Sequence, residues 1–211
     1  MKKAFLARCL AFLIVFVIGI AINKKANAQL KVPGSQQQIE AATTTAPKAL
    51  RAGAKVYGYT DEGEWTTLRE GTNALICIAD DPAEANFHVA CYFKGLEPFM
   101  KRGRELERKG LLRKEKDAIR RQEIDSGDLP MPDKPMALYS LTGQEGAYDY
   151  EQGELVKAKP LCVIYIPYAT EESTGMTAAP MGPGAPWLME PSTPWAHIMI
   201  PQAPIGSAVE E

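Results

Sequence analysis

Two histidines, His88 and His197, and four cysteines are all that 211 residues contain. That scarcity excludes the zinc sites built wholly from histidine and cysteine at short fixed spacings. No Cys-x-x-Cys occurs, which removes a thioredoxin-like redox pair. No Gly-x-Ser-x-Gly occurs either, and the few serines sit in turn-like contexts, so the nucleophile elbow of a serine hydrolase is missing. There is no basic excess: 24 Lys and Arg stand against 26 Asp and Glu, a poor footprint for nucleic acid. After Ile22 no apolar run approaches the ~20 residues that a membrane-spanning helix needs.

The apolar residues that are present begin at the N-terminus. Lys2, Lys3 and Arg8 precede an apolar run from Cys9 to Ile22, and Ala26-Asn27-Ala28 follows. A basic start, a 14-residue apolar core and small residues before a cut give a secretory signal peptide over residues 1–28. The rival is an uncleaved membrane anchor, favoured by the Asn23-Lys24-Lys25 insert and opposed by the short apolar run. From Gln29 onward the chain has 19 basic and 26 acidic residues, a net charge of −7. The expected address is exported, periplasmic or extracellular, with no nucleic-acid partner and a membrane contact only through an uncleaved signal sequence.

Residues 29–52 are polar and small, with three glutamines and three threonines in succession, and read as a flexible linker with at most a short helix near 39–42. A single domain is expected over 53–201, followed by a disordered tail at 202–211. Lys55–Tyr59 and Trp65–Arg69 flank an Asp-Glu-Gly turn and read as a hairpin. Ala74–Ala79 then adds a third strand, with Leu75, Cys77 and Ala79 on one face and Ile76 and Ile78 on the other. A three-stranded meander is the economical arrangement. From Leu96 the apolar period becomes helical, with ten basic and six acidic residues between Lys101 and Asp125 and a break expected near Gly110. The fold class is α+β, mostly antiparallel β with one principal charged helix between strands. Near the C-terminus, Pro160-Leu-Cys-Val-Ile-Tyr-Ile-Pro167 and Pro194-Trp-Ala-His-Ile-Met-Ile-Pro201 share the pattern Pro-x-x-x-Ile-x-Ile-Pro and predict two similar strands ended by proline.

Beyond residue 28 the cysteines are Cys77, Cys91 and Cys162. In an oxidising compartment an odd number means one pair and one leftover thiol. Cys77 and Cys91, on either side of the Asp80-Asp81-Pro82 turn, are the expected disulfide, and Cys162 an inert thiol in an apolar strand.

Three blocks carry a resemblance: Leu50–Val56 with Leu68–Asn73 ahead of Cys77, Leu141–Ala147, and Pro186–Met189 with Pro194–Pro201. Together they resemble a family of signal-peptide-bearing bacterial proteins, secreted or periplasmic, of unknown function. The resemblance implies one exported domain with paired cysteines around an Asp-Pro turn. Members carry a histidine in the first proline-bounded strand, where this chain has Leu161 and Cys162, so no two-histidine site transfers.

The candidate binding residues are Glu145 and Asp149 in the Gly-rich acidic loop 143–154, and Trp187, Trp195 and His197 around the last turn. If these converge they make a binding face for an unidentified ligand or envelope partner; the plainer roles are a solvated turn and tryptophans that close the core. The expected function is a non-enzymatic binding module without a cofactor. The first alternative is an enzyme using His197 with a nearby carboxylate, which requires an accessible histidine within hydrogen-bond reach of that acid. The second is a metal- or haem-binding protein, which requires Met199 or Cys162 to converge with a histidine.

Overall fold

Residues 31–206 are described in a computed structural model. Helix α1 (Ser35–Thr43) leads through a 3-10 turn at Lys48–Leu50 into β1 (Lys55–Tyr59), β2 (Trp65–Arg69), β3 (Leu75–Ile78) and β4 (His88–Phe93). A second 3-10 turn and helices α2 (Glu97–Arg108) and α3 (Arg113–Asp125) follow. The rest comprises β5 (Met136–Thr142), β6 (Tyr148–Asp149), β7 (Glu154–Leu155), β8 (Lys159–Tyr165), the short α4 (Glu171–Thr174), β9 (Trp187–Met189) and β10 (His197–Pro201). The fold is α+β: eight strands form one sheet in the order β2-β1-β3-β4-β5-β8-β10-β9, and β6 and β7 form a separate ribbon. Every pair in the large sheet is antiparallel except β1 with β3.

That parallel pair corrects the expected meander. β3 lies beside β1, not beside β2, because the connection after β2 crosses the end of β1. The crossing is fixed locally. The amides of Thr72 and Asn73 donate to the Gly53 carbonyl at 2.8 and 3.0 Å, and the Asn73 side chain donates to the Leu50 carbonyl at 2.8 Å. The expected alternation of β3 holds: Leu75, Cys77 and Ala79 lie in one cluster and Ile76 and Ile78 in another.

Each sheet face has its own cover. On one face α1 packs Ile39 and Ala42 against Val56, Leu75, Cys77 and Cys91, while the β6–β7 ribbon packs Tyr148 against Phe87, Val89 and Leu141. Cys77 and Cys91 stand directly opposite one another on β3 and β4 and form a fully buried disulfide under α1. The Cys91 sulfur lies 3.3 Å from the Ala42 carbonyl oxygen. On the other face α2 sits over Tyr57, Ile76, Tyr92 and Leu138, with Phe99 reaching Tyr165 and Trp195.

Helix α1 corrects the flexible-linker reading of residues 29–52. Its buried positions include a polar one, Gln38, whose amide bonds with both backbone groups of Tyr59 at 2.9 Å and with the Pro33 carbonyl at 2.7 Å. A glutamine used this way satisfies strand backbone as a neighbouring strand would. The single charged helix becomes two: Gly110, at φ 80°, reverses the chain between α2 and α3. They run antiparallel, tied by Arg102–Glu123 and Lys116–Glu107.

The two proline-bounded strands are β8 and β10, and they pair with each other. Ile164 and Ile198, equivalent in the shared pattern, are direct partners in the antiparallel register. The pairing therefore has a local two-fold axis between these isoleucines. Residues 202–206, expected as tail, return along the start of β8, where Ala158 and Ile205 exchange backbone hydrogen bonds at 3.1 and 2.8 Å. The signal-peptide reading of 1–28 and the last five residues of the expected tail lie outside the described residues.

Candidate functional site

The sheet face that carries α2 changes character along its strands. Tyr92, Leu138 and Tyr165 lie in the apolar cluster beneath α2. Continuing along the same strands, alternation brings His88, Thr142 and Lys159 to this face. The register puts His88 opposite Thr142 and Thr142 opposite Lys159, so these three form one row across β4, β5 and β8. The His88 Nδ1 and Thr142 Oγ1 are 3.0 Å apart.

Beside this row opens a cleft of about 640 Å³. Asn86 comes from the β3–β4 loop, Thr142 from the end of β5 with Gly143 to Gly146 from the turn after it, Val156 to Ala158 from the approach to β8 with Lys159 at its start, and Pro204 from the returning C-terminal segment. The wall is built by close backbone approach. A Cβ at Gly143 would stand 2.3 Å from the Ala147 Cβ and 2.8 Å from the Lys157 carbonyl oxygen, so only glycine fits there. The Ala147 carbonyl accepts from the amides of Val156 and Lys157 at 2.9 and 3.3 Å. Ala158 is buried between two exposed lysines, Lys157 and Lys159, which line the cleft with Glu145. Among the described residues neither lysine has a carboxylate within 4 Å, whereas Arg102, Lys116, Arg120 and Arg121 on the helices each do.

The loop that supplies Asn86 is pinned by Asp80. Its Oδ1 accepts from the His88 amide at 2.7 Å and its Oδ2 from the Tyr150 hydroxyl at 3.4 Å. Burial pushes the Asp80 carboxyl up to about 6, helped by the charge of Asp81 and opposed by the bonds from His88 and Tyr150.

The five expected site residues do not form one face. Glu145 is exposed and lines the cleft. Asp149 shapes the β6–β7 turn, its Oδ1 accepting from the amides of Glu151 and Gln152 at 2.9 and 3.0 Å. Trp195 stacks on Phe99 of α2, and Trp187 is half-buried in β9 opposite Met199. His197 stacks on Tyr165. In the register, Tyr165 pairs with Met136 at one end of β5 and Lys159 with Thr142 at the other. Six steps along β5 separate the His197 end from the cleft end by about 20 Å.

His197 has one ring nitrogen committed to the backbone. Its Nδ1 donates to the Trp195 carbonyl at 2.7 Å rather than to a carboxylate, and burial lowers its pKa. The haem or metal alternative meets strand parity. Ile200 is the direct partner of Cys162 and lies one residue from Met199, so His197 and Met199 share one face and Cys162 the other. Among the described residues no group of three or more His, Cys, Asp and Glu is placed to hold a metal ion.

Sequence reading missed Asn86, Thr142, Gln144, Lys157 and Lys159. They come from separate segments, and only the alternation Lys157-Ala158-Lys159 at the start of a strand could have marked them. Compared with known proteins, the chain matches no family model, no curated protein and no solved structure. No described helix is long and apolar enough to cross a membrane.

Proposed function

We propose that the protein is an exported, non-enzymatic binding module and that the cleft beside β5 and β8 receives its small-molecule ligand. The observation that carries this reading is the cleft itself. Its volume of about 640 Å³ falls in the range that holds small ligands, and a few polar side chains converge on it. Its walls are held by backbone bonds and a close-packed glycine, so the shape exists before anything binds. The Cys77–Cys91 disulfide supports the compartment, since such bonds persist where the surroundings oxidise. The module would fix the ligand through side chains on one rigid sheet end and leave its bonds unchanged.

The test is a thermal-shift screen of polar small molecules on the oxidised protein, run beside a variant in which Thr142→Trp fills the cleft. A compound that raises the Tm of the wild type and not of the filled variant is the expected result. Equal responses from both proteins, or none from the wild type across the screen, would sink the reading.

A further inference from the structure

Resting on the cleft reading above, we infer that the ligand carries an oxyanion, a carboxylate or a phosphate, received by Lys157 and Lys159. Three observations converge on this. The first is charge left without a partner. Both lysines line the cleft and, among the described residues, neither has a carboxylate within 4 Å. A bound anion would supply the counter-charge that the fold itself supplies to Lys55, Lys101 and Lys116.

The second observation is direction. Ala158 turns into the core between the two lysines, which leaves both exposed on the cleft side. Their Cα atoms are two residues apart in near-extended chain, about 6.5 Å. Two ammonium groups on flexible stems at that spacing can close on the oxygens of one anionic group. The third observation is the neutral donor set. Asn86, Gln144 and Thr142, whose side chains carry amide and hydroxyl donors, line the same cleft, and the Thr142 hydroxyl is tied to His88. Donors of this kind complete an anion's hydrogen bonds once charge has brought it in.

The chain from Gln29 onward carries a net charge of −7, which would repel anions at long range. Screening limits that repulsion to about 8 Å at physiological salt, so the charges lining the cleft decide. There two lysines stand against one carboxylate, Glu145. Glu145 therefore weakens anion binding in this scheme, and removing its charge should strengthen it.

The experiment is isothermal titration calorimetry of the oxidised protein with three probes: inorganic phosphate, tricarballylate and the neutral polyol mannitol. Near-UV circular dichroism checks that each variant is folded. Saturable binding of phosphate or tricarballylate is expected, and which of the two binds identifies the anion class. The double variant Lys157→Ala/Lys159→Ala should bind about tenfold more weakly, as loss of a charged hydrogen bond implies. Lys157→Arg/Lys159→Arg should retain binding, and Glu145→Gln should tighten it about threefold. No saturable binding of either anion, or unchanged affinity in the double alanine variant, would overturn the inference. If mannitol alone binds the wild type and not Thr142→Trp, the cleft reading survives and the oxyanion inference falls. If Thr142→Trp binds a probe as well as the wild type does, the cleft reading falls as well.

Discussion

Gln38 is buried among alanines and Ile39, where its amide bonds the backbone of Tyr59 and Pro33. Gly58 makes the approach possible, since a Cβ there would meet the Gln38 Oε1 at 2.6 Å. Gln38→Leu should leave buried backbone groups unpaired and cost roughly 2–4 kcal/mol. A drop in urea midpoint at constant m would register that loss. Asp80 makes a different prediction. Its pKa is raised by burial to about 6, above the ordinary carboxyl value, so its favourable contribution is complete below about pH 4 and is lost as pH rises through 6. Asp80→Asn does not titrate. Relative to wild type it should gain on the order of 1–2 kcal/mol between pH 4 and pH 7, the full shift discounted for solvent screening. Denaturant unfolding of both proteins across that range measures the difference, and parallel pH profiles would refute it. Neither role was legible in the sequence. A glutamine in a polar run has no local mark that separates a buried hydrogen-bonding residue from a solvated one, and an aspartate in an Asp-Pro turn reads as a turn former.

At the scale of elements, legibility followed the contacts that neighbours in sequence make. The β1–β2 hairpin, the two faces of β3, the break at Gly110 and the proline-bounded strands all depend on local period and turn chemistry, and all were readable. The position of β3 beside β1 was not, because it depends on a crossing fixed by Gly53, Thr72 and Asn73. Beyond the short helix read near 39–42, the extent and burial of α1 escaped for a related reason: its apolar face is mostly alanine, which carries little hydrophobic signal yet lets the helix sit close over the disulfide. Replacing both Cys77 and Cys91 by serine releases a loop of sequence separation 14 and should cost about 3 kcal/mol. Thermal unfolding of the double variant beside the oxidised parent tests this, and an unchanged Tm would refute it.

For the molecule as a whole, the two ends of the sheet differ. One is closed by aromatic packing around Trp195 and His197, the other opens into the cleft. Glu145 was the one expected site residue on the open end. The lysines were hidden because a cleft drawn from four segments has no spacing to read. The thiols report on the whole chain. Beyond residue 28, alkylation under denaturing conditions without reductant should mark Cys162 alone, and reduction should expose Cys77 and Cys91. Under native conditions Cys162 should react slowly, because burial raises its thiol pKa and restricts access. Intact mass before and after reduction reads both outcomes; three thiols modified without reductant would contradict the Cys77–Cys91 disulfide.

The two-fold pairing of β8 with β10 bears on how copies of the chain treat one another. Because Ile164 faces its own sequence equivalent, the partner that β8 is shaped to accept looks much like β8 itself. During refolding at high concentration, β8 from one molecule offers β8 of another a nearly native register, which is a route to strand-exchanged dimers. The prolines at the ends of both strands cap such a ladder, since each removes an amide that a longer pairing would require. What reads in one chain as an economical repeat thus acts between chains as an invitation with built-in stops, and dilute refolding should favour the monomer.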